Sequence, residues 1–180
     1  GEFISPEIAL GKVQSVLADS VRSTSNVDSL ITDDLIVDNG RALFWHVPRR
    51  IAPLWSKGIV ANKTDKLQVE WPALIIGVRK DTMKLFMYAV GTNRRPNGDT
   101  RVYKLPMFNL YSTGEVCQGS ATIPSILERG SCEAVLDSFI TAYKTHVNTR
   151  DILRASTLKR LNAKETCTKV LYKYWKEKAN

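Results

Sequence analysis

The sequence predicts an α+β fold in which an antiparallel meander sheet lies between N-terminal and C-terminal helices. Short apolar runs follow one another from residue 42 to residue 105 with brief connections, which favours antiparallel strands. Apolar residues recur at helical spacing before and after this stretch. Because the helices are separated from the strands along the chain instead of alternating with them, the α+β class is favoured.

The chain has 180 residues, of which 43% are hydrophobic and 24% are charged. This composition is ordinary for a globular protein and excludes a wholly disordered chain. The length is sufficient for one domain with a sizeable core. No apolar run reaches the length of a membrane span, so no membrane partner is expected. Three cysteines are too few for a disulfide framework, which favours a reducing, cytoplasmic location.

Most of the net charge of +8 lies at the C-terminal end of the chain. Ten lysine and arginine residues but only three acidic residues lie between Lys144 and Asn180. A basic tail is compatible with nucleic-acid binding, whereas the body of the chain is nearly neutral. We therefore divide the chain into an N-terminal helix and connection (1–40), a core (41–150) and a basic helical tail (151–180).

An N-terminal helix is predicted to start at Ser5-Pro6, where a capping hydroxyl precedes a proline at the first helical position. Its apolar face is formed by residues at helical spacing: Leu10, Val13, Leu17 and Val21. A polar connection follows, with an apolar patch at residues 35–37, and it ends in a turn at Asn39-Gly40.

The middle of the chain contains five apolar stretches that predict strands. They are residues 42–45, 67–71, 73–78, 85–90 and 101–105. Pro72 separates the second stretch from the third, because proline cannot donate a hydrogen bond to a strand ladder. Asp81-Thr82 and Asn97-Gly98 lie in turns between successive strands.

Two helices are predicted to follow an irregular stretch at residues 106–124. The first is capped by Ser131 and carries apolar residues on one face: Cys132, Val135, Leu136, Phe139, Ile140 and Tyr143. The last carries a second apolar stripe: Cys167, Val170, Leu171, Tyr174 and Trp175. Such a stripe usually packs on the protein's own core, as in most surface helices. Alternatively it docks a partner, and the neighbouring lysines would then favour an acidic one.

Cys117 is the cysteine whose position is compatible with chemistry. Cys132 and Cys167 lie on apolar helical faces, where core packing is expected. Cys117 lies in the irregular stretch between the strands and the helices, where functional residues concentrate. From composition and position alone, a half-buried packing residue next to Val116 is the simpler interpretation of Cys117.

The two histidines are expected to differ in role. His46 lies within a strand pattern and is expected to be structural. His146 is predicted to end the helix that starts at Ser131. There it provides a favourable charge at the helix C-terminus, or it lies near Cys117 and tunes its acidity. The spacing of the cysteines and histidines matches no metal site, and no phosphate-binding glycine loop is present.

The segment from Asn109 to Cys117 resembles the active-site segment of ubiquitin-conjugating enzymes. Those enzymes carry His-Pro-Asn, then a glycine, then Ile-Cys-Leu, with the cysteine eight residues after the asparagine. The same spacing separates Asn109 from Cys117 here, Gly114 matches the glycine, and Val116-Cys117-Gln118 matches the second tripeptide. Met107-Phe108 stands where the family has His-Pro. The order of helices and strands also agrees.

A closer resemblance is to the prokaryotic ubiquitin-conjugating-enzyme-like family D, which includes proteins of PRTRC systems. It covers roughly residues 41–147 and implies a ubiquitin-conjugating-enzyme-like fold. The residues that carry it are Phe44-Trp45 with Pro48, Pro72-Ala73-Leu74, Arg95-Pro96 with Thr100, Tyr103 with Pro106, Asn109-Leu110-Tyr111, residues 114–120, and Thr145-His146.

The resemblance implies a bacterial transferase in which Cys117 accepts a ubiquitin-like protein as a thioester and passes it to an amine. Asn109 would then donate its amide to the developing oxyanion, although a turn residue that binds its own backbone is an equally open role. The implied partners are a ubiquitin-like protein, an adenylating activating enzyme of the ThiF type and a JAB-type isopeptidase. No cofactor is expected in this chain, because the activating enzyme spends the ATP.

Two other functions stay open at this point. One is a non-catalytic interaction module with the same fold, in which Cys117 is buried. The other is a plasmid- or nucleic-acid-associated protein that binds through its basic tail, since PRTRC genes lie largely on plasmids. The accessibility of Cys117 distinguishes the first alternative from an enzyme, and a salt-dependent DNA-binding assay of a truncated chain tests the second.

Overall fold

The structure is a computed structural model that describes residues 9–18, 34–59, 63–125, 127–128, 130–152 and 164–179. The strands are β1 (Ala9–Lys12), β2 (Leu35–Asp38), β3 (Ala42–Val47), β4 (Arg50–Lys57), β5 (Thr64–Trp71), β6 (Ala73–Arg79), β7 (Lys84–Val90) and β8 (Arg101–Tyr103). The helices are α1 (Val13–Val16), α2 (Ser131–Thr141) and α3 (Lys164–Glu177). Strands in the middle and two helices towards the C-terminus agree with the predicted α+β class.

Six strands form an antiparallel sheet in the order β1-β8-β7-β6-β3-β2. β6 lies inside this sheet and pairs with β3 on one side and β7 on the other. Its residues from Ala73 to Val78 are all buried, as expected for an apolar run without alternation. β4 and β5 form a separate two-stranded ladder. The predicted simple meander is therefore interrupted, because this hairpin leaves the sheet between β3 and β6.

Two apolar cores lie against the sheet. The larger one includes residues of the β4–β5 hairpin, α2 and α3. The smaller one contains Val13, Phe44 and Tyr88. Trp175 on α3 is 3% exposed, belongs to the larger core and donates from Nε1 to the Pro106 carbonyl over 2.7 Å. The apolar stripe of the tail helix therefore packs on its own domain. Among the helices in the described ranges, none combines the length and apolar character needed to span a membrane.

The prediction of a continuous N-terminal helix is wrong where the structure describes it. Residues Ala9–Lys12 form β1, which pairs with β8 through a bulge between Ala9 and Gly11. Gly11 has a φ of +131°, a conformation that no helix contains. Ser15 Oγ accepts from the Lys12 backbone N–H, and a single helical turn starts only at Val13. Residues 5–8 and 19–33 of the predicted helix and connection, including Val21, lie outside the described residues.

The remaining local differences concern an apolar patch and a proline. The patch at residues 35–37 belongs to β2, which pairs with β3 at an edge of the sheet. β4 was not predicted, because Pro53 interrupts its apolar run. In the structure Pro53 lies opposite Gln68 in the short two-stranded ladder, where a lost donor disturbs fewer hydrogen bonds than in a central strand.

Candidate active site

The segment from Asn109 to Cys117 is a tight antiparallel hairpin. Leu110 and Val116 face each other as a bridge pair and are both buried. On one side of this pair the Cys117 N–H donates to the Asn109 carbonyl over 2.7 Å, and on the other the Tyr111 N–H donates to the Glu115 carbonyl over 2.8 Å. The eight-residue spacing seen in the sequence is thus the spacing that places Cys117 opposite Asn109 across the hairpin.

Gly114 allows this hairpin to close against the sheet. Its φ is +85°, and its N–H donates to the Tyr111 carbonyl over 3.0 Å. A Cβ at this position would lie 2.3 Å from the Tyr88 ring. Only glycine combines that backbone conformation with so close an approach.

The hairpin is attached to the edge of β7 that β8 leaves uncovered. β8 pairs with β7 only at Ala89 and Val90. Beyond the end of β8, the Val116 N–H donates to the Leu85 carbonyl over 2.8 Å and the Met87 N–H donates to the Gly114 carbonyl over 2.9 Å. The hairpin therefore extends the sheet, and its pairing with β7 fixes the position of Cys117 relative to the sheet.

Asn109 joins the hairpin to the loop that follows α2. It adopts a φ of +58° and is only 5% exposed. Its backbone N–H donates to the His146 carbonyl over 2.9 Å. Its side-chain Nδ2 donates to the Tyr143 carbonyl over 3.3 Å, and its Oδ1 accepts from the Thr145 backbone N–H over 3.2 Å. The amide therefore binds the backbone of a distant loop, whereas the turn role considered from the sequence had it bind its own backbone.

His146 lies in that loop and not at the end of a helix. α2 ends at Thr141, so the expectation that His146 provides the charge at its C-terminus is wrong. The imidazole is exposed, and its Nδ1 lies 2.8 Å from the Thr145 hydroxyl. Asn109 stands between His146 and Cys117 in the chain of backbone hydrogen bonds. Backbone hydrogen bonds therefore link Asn109 to both Cys117 and His146.

Lys144 is a buried basic residue just after α2, and the sequence did not indicate its burial. It is completely buried, and its Nζ donates to the carbonyls of Phe139 and Ala142 over 2.5 and 2.7 Å. Burial lowers the pKa of Lys144 to about 7. Its backbone N–H donates to the Trp55 carbonyl over 2.8 Å, which ties the loop to β4.

The three cysteines differ in their surroundings. Cys167 is buried and Cys132 is half-buried at the start of α2. Burial, together with the charges of Asp38, Glu133 and Asp34, raises the pKa of Cys132 to about 12. Cys117 is half-buried at the end of the hairpin. A thiolate is the reactive form of cysteine, so Cys117 is the best placed of the three to act as a nucleophile.

Tyr111 is a residue of the site to which the sequence assigned no role, although it is among the residues that carry the family resemblance. The pKa of Tyr111 is raised, and the charge of Cys117 is the largest cause. Alternation along the hairpin is the signal that would have found it, because Tyr111 and Cys117 both flank the buried Leu110–Val116 pair on the opposite face.

The other polar candidates have structural surroundings. His46 is buried in β3, and burial is the largest cause of its lowered pKa. Within the ranges that the structure describes, no three His, Cys, Asp or Glu side chains are grouped so as to hold a metal ion.

Comparison with known proteins identifies the family. No curated protein and no solved structure matches the chain. A family model does match it, and the match extends over residues 11–178, including the hairpin, the loop after α2 and the tail helix. Because this match covers nearly the whole chain, the protein belongs to prokaryotic E2 family D.

Proposed function

We propose that this chain accepts a ubiquitin-like protein as a thioester on Cys117 and transfers it to an amine. Membership of the family supports a ubiquitin-conjugating-like role in general. The single observation that carries the more specific proposal is the partly exposed Cys117 at the end of a hairpin that backbone hydrogen bonds hold in place. A carrier cysteine needs such a thiol, since the thiolate takes the acyl group.

The proposal includes three partner proteins. A ubiquitin-like protein is delivered by an adenylating activating enzyme, which we propose to be of the ThiF type, and a JAB-type isopeptidase would reverse the product linkage. The family implies a modifier and an activating enzyme in general. The chain itself then needs no cofactor, because activation of the modifier takes place on the other enzyme.

Asn109 and His146 are proposed to support transfer from Cys117. Asn109 lies opposite Cys117 across the hairpin, and its Nδ2 lies 3.6 Å from where a Cβ of Gly119 would stand. We propose that the amide holds the loop in place and stabilises the developing oxyanion. His146 is exposed beside Thr145 in the loop that Asn109 contacts, and we propose that its imidazole assists the thiol of Cys117.

The test is incubation of the chain with its activating enzyme, the ubiquitin-like protein and ATP, followed by a non-reducing gel. Cys117 should form an adduct that a reducing agent removes. Cys117→Ser should give a more stable oxyester, and Cys117→Ala should give no adduct. Cys132→Ala is the matched control and should load like the wild type. An adduct that persists in Cys117→Ala, or that disappears in Cys132→Ala, would refute the assignment.

The same assay separates an enzyme from a non-catalytic module. A module that only binds the modifier would retain it in a pull-down but would form no covalent adduct in any variant. Discharge of loaded Cys117 to free lysine then measures transfer by itself. His146→Gln removes the imidazole and keeps a polar side chain, so slower discharge in this variant than in the wild type would support the proposed role of the imidazole.

A further inference from the structure

The hairpin places a second reactive side chain next to Cys117. The Leu110–Val116 pair is flanked by two backbone hydrogen bonds, from the Cys117 N–H to Asn109 and from the Tyr111 N–H to Glu115. In such an antiparallel ladder successive side chains alternate between faces. Leu110 and Val116 face the core, so Tyr111 and Cys117 both lie on the outer face.

On that face Tyr111 and Cys117 are diagonal neighbours. Tyr111 lies opposite Glu115, and Cys117 is two residues further along the second strand. Diagonal neighbours have Cα atoms about 7–8 Å apart, a distance that an aromatic side chain spans. Tyr111 is 45% exposed. Its hydroxyl is therefore in a position to reach the sulfur from the solvent side, where an acyl group on Cys117 would be attacked.

We propose that Tyr111 is a catalytic residue whose hydroxyl donates a hydrogen bond to the Cys117 sulfur and stabilises its thiolate. This inference rests on the proposed function and extends it. The charge environment agrees: Cys117 raises the pKa of Tyr111, so the phenol keeps its proton at neutral pH and acts as a donor. Glu115, which faces Tyr111, is paired with Lys84 over 3.0 Å.

The hydrogen bond acts on the sulfur in both half-reactions. In loading, the Cys117 thiolate attacks the thioester carbonyl on the activating enzyme, a new carbon–sulfur bond forms, and the enzyme's own cysteine leaves as a thiolate. In transfer, an amine nitrogen attacks the carbonyl, the carbon–sulfur bond breaks, and its electron pair returns to Cys117. The proton that the amine loses passes to water. A donor to the sulfur lowers the energy of the thiolate in each case.

The test compares Tyr111→Phe with Tyr143→Phe. Tyr143 is a suitable control, because it is exposed to a similar degree, 40%, and lies in the loop that Asn109 contacts. Both substitutions keep the ring, so folding should be unaffected. The readout is the rate of iodoacetamide alkylation of the Cys117 peptide between about pH 6 and pH 10, measured by mass spectrometry. Cys132 interferes little, since the pKa of its thiol is about 12.

The expected result is specific to Tyr111. Tyr111→Phe should move the midpoint of the pH–rate profile upwards by about one pH unit, and it should slow discharge of the thioester about tenfold. Tyr143→Phe should change neither quantity. A Tyr111→Phe profile that coincides with the wild-type profile would overturn the proposal, as would an equal shift in both variants.

Failure of this inference can be told from failure of the proposed function. The alkylation profile needs no partner protein, whereas thioester formation needs the activating enzyme and the modifier. If Cys117 is loaded but Tyr111→Phe leaves the profile unchanged, the proposed function stands and the role of Tyr111 falls. If the profile shifts but no thioester forms on any variant, the hydrogen bond to Cys117 stands and the catalytic role falls with the proposed function.

Discussion

The hairpin that carries Cys117 and the tail helix α3 are held in the same domain by different forces. The hairpin relies on directed hydrogen bonds in addition to its buried Leu110–Val116 pair: Val116 donates to Leu85, and Asn109 donates to His146. Apolar burial holds α3, where Leu171 is completely buried and Trp175 is 3% exposed. Hydrogen bonds depend strongly on angle and distance, whereas apolar burial is non-directional.

This difference separates stability from geometry. Burial of apolar surface is the dominant favourable term in folding, so α3 should contribute more than the hairpin to the free energy of unfolding. Each hydrogen bond of the hairpin contributes less, but together they set where the sulfur stands. One contact joins the regions, because Trp175 donates to the carbonyl of Pro106, shortly before Asn109. The predictions below test this separation, from the largest expected effect to the smallest.

Trp175→Ala should have the largest effect on stability. It removes a buried indole from the larger core and its hydrogen bond to Pro106, and such truncations cost about 3–5 kcal/mol. Thermal unfolding measures the loss. Lys173→Ala, an exposed position on the same helix, is the control and should change stability by less than about 0.5 kcal/mol. Unchanged unfolding of Trp175→Ala would mean that α3 contributes little to the fold.

Lys144→Met should change how stability depends on pH. The pKa of Lys144 falls from an ordinary value of 10.5 to about 7 in the folded chain, because the amine is buried. Between these values the unfolded chain binds a proton that the folded chain does not, so wild-type stability should rise with pH. Lys144→Met lacks this dependence. Urea unfolding should be measured at about pH 7 and pH 9. The free energy of unfolding of the wild type, relative to that of the variant, should rise by at most about 1.4 kcal/mol per pH unit.

The opposite trend, or no trend, would contradict the burial of a titrating amine at this position. The control is Lys57→Met. Lys57 is exposed on β4, and its backbone N–H donates to the Lys144 carbonyl. The control therefore replaces a neighbouring lysine whose side chain is not buried. Its difference from the wild type should be the same at both pH values.

Asn109→Ala and Asn109→Gly together separate the backbone of Asn109 from its amide. Both lose the side-chain bonds to Tyr143 and Thr145, which should cost about 1–3 kcal/mol. Only alanine is also strained by a φ of +58°, which adds about 1 kcal/mol. With loading intact, slow discharge from Cys117 in both variants would support the amide's role in transfer. If loading and discharge fall only in proportion to stability, the amide of Asn109 holds the loop in place and has no separate role in transfer.

Local patterns account for the parts of the fold that the sequence predicts. β6 is a continuous apolar run, and α3 carries a stripe at helical spacing, so each is visible within its own residues. β1 is not, because its strand conformation depends on pairing with β8, where Lys12 lies opposite Arg101. Contacts between residues so distant in the chain leave no local period, and Gly11 weakens the helical pattern only slightly.

The site divides in the same way. The spacing of Asn109 and Cys117 is a local signal, and in the structure the two residues lie opposite each other across the hairpin. The contact of Asn109 with the loop at Tyr143 and Thr145 depends on how α2 packs, which the sequence does not show. Lys144 could not be found either, because a lysine after a helix is normally exposed and only tertiary packing buries this one.

Lys84→Met should have the smallest effect, although it removes a charge contact of the hairpin. Lys84 Nζ lies 3.0 Å from the Glu115 carboxylate, and the two side chains are 50% and 27% exposed. Such pairs contribute about 0–1 kcal/mol, and salt screens them further. The backbone hydrogen bonds between the hairpin and β7 are unaffected: Val116 still donates to Leu85, and Met87 to Gly114. Thermal unfolding should therefore change little, and the change should shrink in high salt. A loss as large as that of Asn109→Gly would show that charge pairing, not backbone hydrogen bonding, holds the hairpin on the sheet.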